Sequence, residues 1–147
     1  ETRGFNETGL FCIYNFGPAR KTWNWGDSDV GGCQPDVLMF LAKRFPHLAG
    51  VYSYVARSLV SEFIANPTSG LGAASLALSL AAYTPTGDER EFAKLPNAWE
   101  FRSEGLGNMA FFRSSWTDRN ASWVGFKGCL GYQTHGDNDG GTFDPEW

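Results

Sequence analysis

The chain has 147 residues and a mass of 16.2 kDa, about the size of one ordinary domain, so it has no room for several complete domains. It carries 12 Lys and Arg against 16 Asp and Glu, a formal net charge of −4, and without a basic run it is not suited to follow a nucleic acid backbone. No stretch approaches the roughly 18 apolar residues of a membrane span. Aromatic residues at 16% and charged residues at 19% favour a folded, soluble chain.

The first part of the chain, residues 1–33, is predicted to be loop. It contains one apolar stretch at 10–16, and the composition of 20–33 turns to Trp, Gly, Asp and Asn. The first residue is Glu1, and no basic segment followed by an apolar leader comes after it. We therefore expect the sequence to begin within a longer polypeptide.

Three helices are predicted in the next part of the chain. Pro35 suits the first position of a helix over 35–45, in which apolar residues recur at helical spacing. The same period continues over 51–63 and ends before Pro67. The alanine- and leucine-rich stretch 72–82 suits a third, buried helix.

The pattern then changes from helical to extended. The charged, proline-bracketed stretch 84–96 is predicted to connect two layers of different type. Residues 109–116 and 122–127 alternate as strands do, with a turn at 117–120. The sequence thus predicts an α+β order, helices first, with too few elements to close either layer.

Three cysteines and two sequons complete the local features. Cys12, Cys33 and Cys129 are far apart and form no CxxC pair, so we predict structural free thiols. The triplets Asn6-Glu7-Thr8 and Asn120-Ala121-Ser122 are glycosylation acceptors if the chain enters a secretory pathway.

Two polar segments are candidates for binding or catalysis. The glycine-rich stretch 134–142 holds His135, Asp137 and Asp139, which suit either a cation and sugar site or a solvated turn whose Asp side chains cap their own backbone. Earlier, 23–29 combines tryptophans with aspartates, which suits either sugar stacking or a packed loop. Motifs for a serine nucleophile, a phosphate loop or a dinucleotide site do not occur in the sequence.

Two longer motifs resemble a known family. Residues 109–128 read MAFFRSSWTDRNASWVGFKG and residues 135–143 read HGDNDGGTF. The arginine-serine strand, the Thr-Asp turn, the W-x-x-F-K-G strand and the His-Gly loop are similar to those of the heparinase II/III-like polysaccharide lyases. Residues 16–29 and the helix containing 41–45 are similar to the segment that ends the α/α toroid of that family.

The resemblance implies a fold, a reaction and a location. It implies the last helices of an incomplete α/α toroid over 1–84, a linker over 85–106, and the first strands of an antiparallel β-sandwich over 107–147. It implies cleavage of an acidic, uronate-containing glycan by β-elimination, in a secreted or periplasmic protein. The family's general base, a tyrosine, matches no residue here and is expected upstream, so the isolated chain is predicted to be an inactive fragment.

Roles for individual residues follow from the same resemblance and from the two polar segments. His135 is predicted to neutralise the substrate carboxylate, and Asp137 to bind a divalent metal, zinc or calcium. Asp139 and Gly141 are predicted to shape the loop. Substrate binding is predicted for four residues: Trp23, Trp25, Asp27 and Arg113.

Two other functions remain open at this point. One is a catalytically inactive carbohydrate-binding or scaffold protein on the same fold. The other is an interaction module stabilised by calcium through Asp137 and Asp139, which would need no sugar.

Overall fold

The computed structural model describes residues 4–19, 21–22, 32–67, 73–102 and 108–128, together with the backbone of 142–146. The fold is mixed α+β, with helices preceding a four-stranded antiparallel sheet. The chain forms two compact units. We call Glu1–Ile13 with Cys33–Lys94 the helical unit, and Tyr14–Gly32 with Leu95–Trp147 the sheet unit.

The positions of the three predicted helices are confirmed to within two residues at each end. The prediction that the third is buried is wrong, since its Leu78 and Leu80 are 57% and 74% exposed. After a 3-10 turn the helices are α1 (Thr8–Tyr14), α2 (Pro35–Arg44), α3 (Ala49–Ala65), α4 (Ala73–Ala81) and α5 (Glu89–Ala93). The two short helices α1 and α5 were not predicted, and the expected loop over 1–33 is wrong at Phe5–Glu7 and α1. Leu10, Ile13 and Tyr14 do lie at helical spacing and are buried, but α1 has only seven residues, too few for a clear period.

The core of the helical unit lies between α2 and α3. Leu38 and Leu41 of α2 and Tyr52 and Val55 of α3 are almost completely buried. Helix α1 approaches this core closely at Gly9, where a Cβ atom would come within 2.7 Å of the Tyr52 ring. The glycine therefore permits the packing of α1 on α3.

The prediction of free thiols is wrong for Cys12 and Cys33, which form a disulfide between α1 and the residues just before α2. Their Cα atoms are 5.6 Å apart, a normal separation for a disulfide. The pairing depends on α1, which brings Cys12 beside the start of α2 although the two cysteines are 21 residues apart in sequence. Cys129 lies outside the described residues.

The segment after α4 is hydrogen-bonded to side chains of α3 and leads into α5. The Ser53 hydroxyl donates to the Thr84 carbonyl, and Arg57 Nη2 donates to the Gly87 carbonyl over 2.6 Å. Asp88 caps α5 because its carboxylate accepts the first free N–H groups of the helix. The stretch predicted as a connection therefore contains a short capped helix.

The sheet has the order β1-β2-β3-β4, with each neighbouring pair antiparallel. Its strands are β1 (Ala98–Phe101), β2 (Asn108–Arg113), β3 (Trp123–Gly128) and β4 (Thr142–Glu146). The predicted strands correspond to β2 and β3, although β2 ends three residues earlier. Strand β1 was missed because four residues beside Pro96 are too few for a clear alternation.

The connection between β2 and β3 is the predicted turn. The Ser114 N–H donates to the Ser122 carbonyl over 3.0 Å, closing the base of the connection. The Ser115 hydroxyl oxygen accepts the N–H groups of Thr117 and Asp118, each at 3.2 Å. A side-chain oxygen thus accepts hydrogen bonds from backbone N–H groups of the turn that have no partner in a neighbouring strand.

Among the described residues, none of the helices has both the length and the apolar character needed to cross a membrane.

Candidate functional site

A buried cluster of aromatic rings around one arginine occupies the interior of the sheet unit. Alternation along β2 puts the side chains of Phe111 and Arg113 on the same face, and Arg113 pairs in register with Trp123 of β3. All three are buried, and Arg113 is only 8% exposed. The sheet therefore directs a cation into its own aromatic core.

The guanidinium of Arg113 interacts with backbone carbonyls and a ring. Its Nη2 donates to the carbonyls of Tyr14, over 3.2 Å, and Phe16, over 3.0 Å. Its Cζ lies 3.6 Å from the centroid of the Trp116 ring, a close cation–π contact. Burial lowers the pKa of Arg113 to about 10, which leaves the side chain charged at neutral pH.

The phenol of Tyr14 lies at the centre of the same cluster. Its hydroxyl donates to the Pro96 carbonyl over 2.7 Å, and its ring meets the Trp116 ring edge-on at 4.8 Å between centroids. Burial raises the pKa of Tyr14 to about 12, and the charge of Arg113 opposes this only in part. The phenol stays protonated at neutral pH and is unsuited to act as a general base.

Two indole N–H groups attach the remaining rings to the backbone. Trp116 donates to the Leu95 carbonyl over 2.8 Å, and Trp123 donates to the Tyr14 carbonyl over 3.1 Å. The Tyr14 carbonyl thus accepts hydrogen bonds from both Trp123 and Arg113. These bonds satisfy the polar edges of large buried side chains, as a well-packed interior requires.

Of the residues predicted for the site, the structure describes only Arg113. The other seven lie outside the described residues: Trp23, Trp25, Asp27, His135, Asp137, Asp139 and Gly141. The described contacts of Arg113 are those of a residue that holds the sheet unit together. These contacts are all made within the protein, so the role of Arg113 in substrate binding stays a prediction.

Sequence reasoning did not identify Tyr14, Trp116 and Trp123 as partners of Arg113. A signal existed for one side of the cluster, since Arg113 lies two residues after the apolar Phe111 and so shares its face. Tyr14 had no such signal, because its position relative to the strands depends on the path of the chain after α1.

A cavity of about 390 Å³ lies in the helical unit beside α3 and α4. Its lining is mostly apolar and includes Val60, Ile64 and Leu80. Its polar groups include Arg57, which donates to Gly87, and Ser79, which donates to the Ser75 carbonyl over 2.7 Å. A sugar site needs several polar groups that converge on the ligand, and this apolar lining does not provide them.

Over the ranges that the structure describes, no cluster of three or more His, Cys, Asp or Glu side chains could hold a metal ion. Asp137, the predicted ligand, falls outside those ranges.

No protein-family model matches the chain, and a search of curated proteins returned no match. The resemblance to polysaccharide lyases therefore stays a prediction made from the motifs.

Proposed function

We propose that this chain is part of a heparinase II/III-like polysaccharide lyase that cleaves an acidic, uronate-containing glycan by β-elimination. On this proposal the helical unit belongs to an incomplete α/α toroid and the sheet to an antiparallel β-sandwich. The observation that supports it is the pairing of β2 with β3. The two halves of the motif over 109–128 form adjacent antiparallel strands, in the order that the resemblance requires.

The reaction determines what the site must do. The C5 proton of a uronate lies next to a carboxylate, and removing it places further negative charge on that group. A donor near the carboxylate stabilises this charge more in the transition state than in the ground state, which accelerates the step. A base takes the C5 proton, the C4–C5 double bond forms as the C4–O bond to the next sugar breaks, and an acid returns a proton to the departing oxygen.

We assign the donor role to His135, because it occupies the histidine position of the His-Gly loop motif. Asp137 is proposed to bind a divalent cation or to brace the loop, and Asp139 and Gly141 to shape it. Trp23, Trp25 and Asp27 are proposed to stack against the sugar and bind its hydroxyls. The base is proposed to lie outside this chain, which agrees with the raised pKa of the buried Tyr14.

A secreted or periplasmic location is part of the same proposal. The Cys12–Cys33 disulfide supports it, because structural disulfides persist in oxidising compartments and are rare in the cytosol of most organisms.

The experiment is to incubate the chain, alone and within a longer polypeptide that supplies the upstream helices, with a panel of uronic polysaccharides. Ultraviolet absorbance reports the unsaturated product. We expect it to rise with the longer polypeptide on at least one polymer, and to stay flat when the uronate carboxyls of that polymer have been reduced to alcohols. Glycan binding without a rise in absorbance would instead identify the inactive binding protein.

A further inference from the structure

We propose that this protein carries an N-linked glycan on Asn120 and none on Asn6, although both residues begin a sequon. The geometry of the two triplets and the disulfide point to this modification, which does not depend on any lyase activity.

The first observation is the place of Asn120 in the connection between β2 and β3. Asn120 is exposed, at the tip of a turn in which its backbone N–H donates to the Asp118 carboxylate over 2.9 Å. Its side-chain amide makes no hydrogen bond within the described part of the chain. A glycan on this nitrogen would extend into solvent and displace no contact.

The second observation is the alternation along the triplet. Ala121 is only 4% exposed and points inward, whereas Asn120 and Ser122 on either side of it are exposed. The backbone of Ser122 is held by Ser114, whose hydroxyl oxygen accepts the Ser122 N–H over 3.0 Å. The two side chains that define a sequon are therefore both on the solvent side, and the middle residue is not proline.

The third observation concerns Asn6, which lies in a different setting. It is half-buried in the 3-10 turn Phe5–Glu7, and its carbonyl accepts the hydroxyl of the buried Tyr52 over 2.5 Å. The neighbouring Phe5 packs edge-on against Phe45, with ring centroids 5.9 Å apart. Because this half-buried residue offers less room for a glycan than the exposed Asn120, we expect Asn6 to remain unmodified.

The fourth observation is the Cys12–Cys33 disulfide, because compartments that form disulfides include the lumen where N-glycans are added. The donor is a lipid-diphosphate-linked oligosaccharide. The Nδ2 atom of Asn120 forms a bond to the anomeric carbon, the bond from that carbon to the diphosphate oxygen breaks, the lipid diphosphate leaves, and the amide nitrogen loses one proton.

The test is secretion of the full chain from a eukaryotic cell line behind a cleavable leader. Treatment with an amidase that removes N-glycans, followed by peptide mass spectrometry, reports each acceptor because the released asparagine becomes aspartate. We expect one glycan per chain, at Asn120. It should be lost in Asn120→Gln and Ser122→Ala, and kept in Ser122→Thr and Asn6→Gln.

The Ser122 pair controls for folding, since alanine and threonine both alter the same exposed side chain but only threonine preserves the sequon. Recovery of the Cys12–Cys33 peptide from the secreted protein shows that the chain passed through an oxidising compartment. A disulfide-bonded, secreted chain without a glycan would overturn the proposal. So would a glycan on Asn6, or one that persists in Asn120→Gln.

Discussion

Arg113 holds its guanidinium carbon 3.6 Å from the centroid of the Trp116 ring while donating to two backbone carbonyls. The cation is thus stabilised by a ring face and by peptide dipoles, and no described carboxylate pairs with it. The contact with the Trp116 ring face favours a flat group, and a lysine ammonium is not flat.

We predict that Arg113→Lys lowers the free energy of unfolding of the chain by roughly 2 kcal/mol. Lysine keeps the charge but loses the stacking on Trp116 and one of the two carbonyl contacts, and a hydrogen bond to a charged group is worth about 1.5–3 kcal/mol. Denaturant unfolding followed by tryptophan fluorescence measures the change.

Arg102→Lys is the matched control. Arg102 follows β1 in the same unit, but its side chain is 78% exposed and, among the described residues, pairs with Glu100 alone. Exposed pairs of this kind contribute little, so the control should unfold as the wild type does. An Arg113→Lys variant as stable as the control would show that the buried guanidinium is not needed.

The second prediction concerns stability in alkali. The pKa of Tyr14 is raised from 10 to about 12 in the folded protein, so its contribution to stability is complete below pH 10 and is lost as the pH rises from 10 through 12. Burial lowers the pKa of Arg113 from 12.5 to about 10, and this acts in the opposite direction over the same window.

Replacing Tyr14 by Phe removes one group whose ionisation opposes the folded state. We therefore expect Tyr14→Phe to be less stable at neutral pH, because the bond to Pro96 is lost, but to lose less stability than the wild type between pH 10 and 12. Tyr52→Phe should behave alike, since burial also raises the pKa of Tyr52 to about 12. If the free energy of unfolding of these variants fell with pH between 10 and 12 as steeply as that of the wild type, the prediction would be contradicted.

The third prediction compares two glycines with positive φ angles. Gly87 has φ +75°, and a Cβ atom there would overlap the backbone carbonyl of Gly50. Gly4 has φ +82°, but a Cβ atom there would meet nothing within 4 Å. Gly4→Ala should cost about 1 kcal/mol from the backbone conformation alone.

Gly87→Ala should cost about 3 kcal/mol, because overlap adds to the same conformational penalty. Thermal or denaturant unfolding of the two variants measures the difference. Equal losses would mean that the segment after α4 does not pack against the start of α3 as described.

The fourth prediction concerns His135 in the proposed lyase. His135→Ala should lower turnover by roughly 100-fold and change KM much less, because the lost interaction is stronger in the transition state. Initial rates on the best substrate, measured in the longer polypeptide, separate the two effects. Near-normal turnover would show that the loop containing His135 is structural and that His135 has no catalytic role.

The sequence contained enough information for the long helices and for β2 with β3, because each has a clear hydrophobic period. It was insufficient for α1, α5, β1 and β4, which are short and whose positions depend on partners elsewhere in the unit. The disulfide shows the same limit, since Cys12 meets Cys33 only once α1 has formed. For the site, the alternation in β2 could have indicated that Arg113 faces inward, but its partners Tyr14 and Trp116 come from other segments.

In the proposed lyase, cleavage proceeds by elimination, and digestion of a uronic polysaccharide in oxygen-18 water distinguishes elimination from hydrolysis. The longer polypeptide containing this chain should produce fragments that carry a double bond and no oxygen from the solvent, because elimination adds no water. Fragments that lack the double bond and carry one solvent oxygen for each bond cleaved would identify a hydrolase and overturn the proposal.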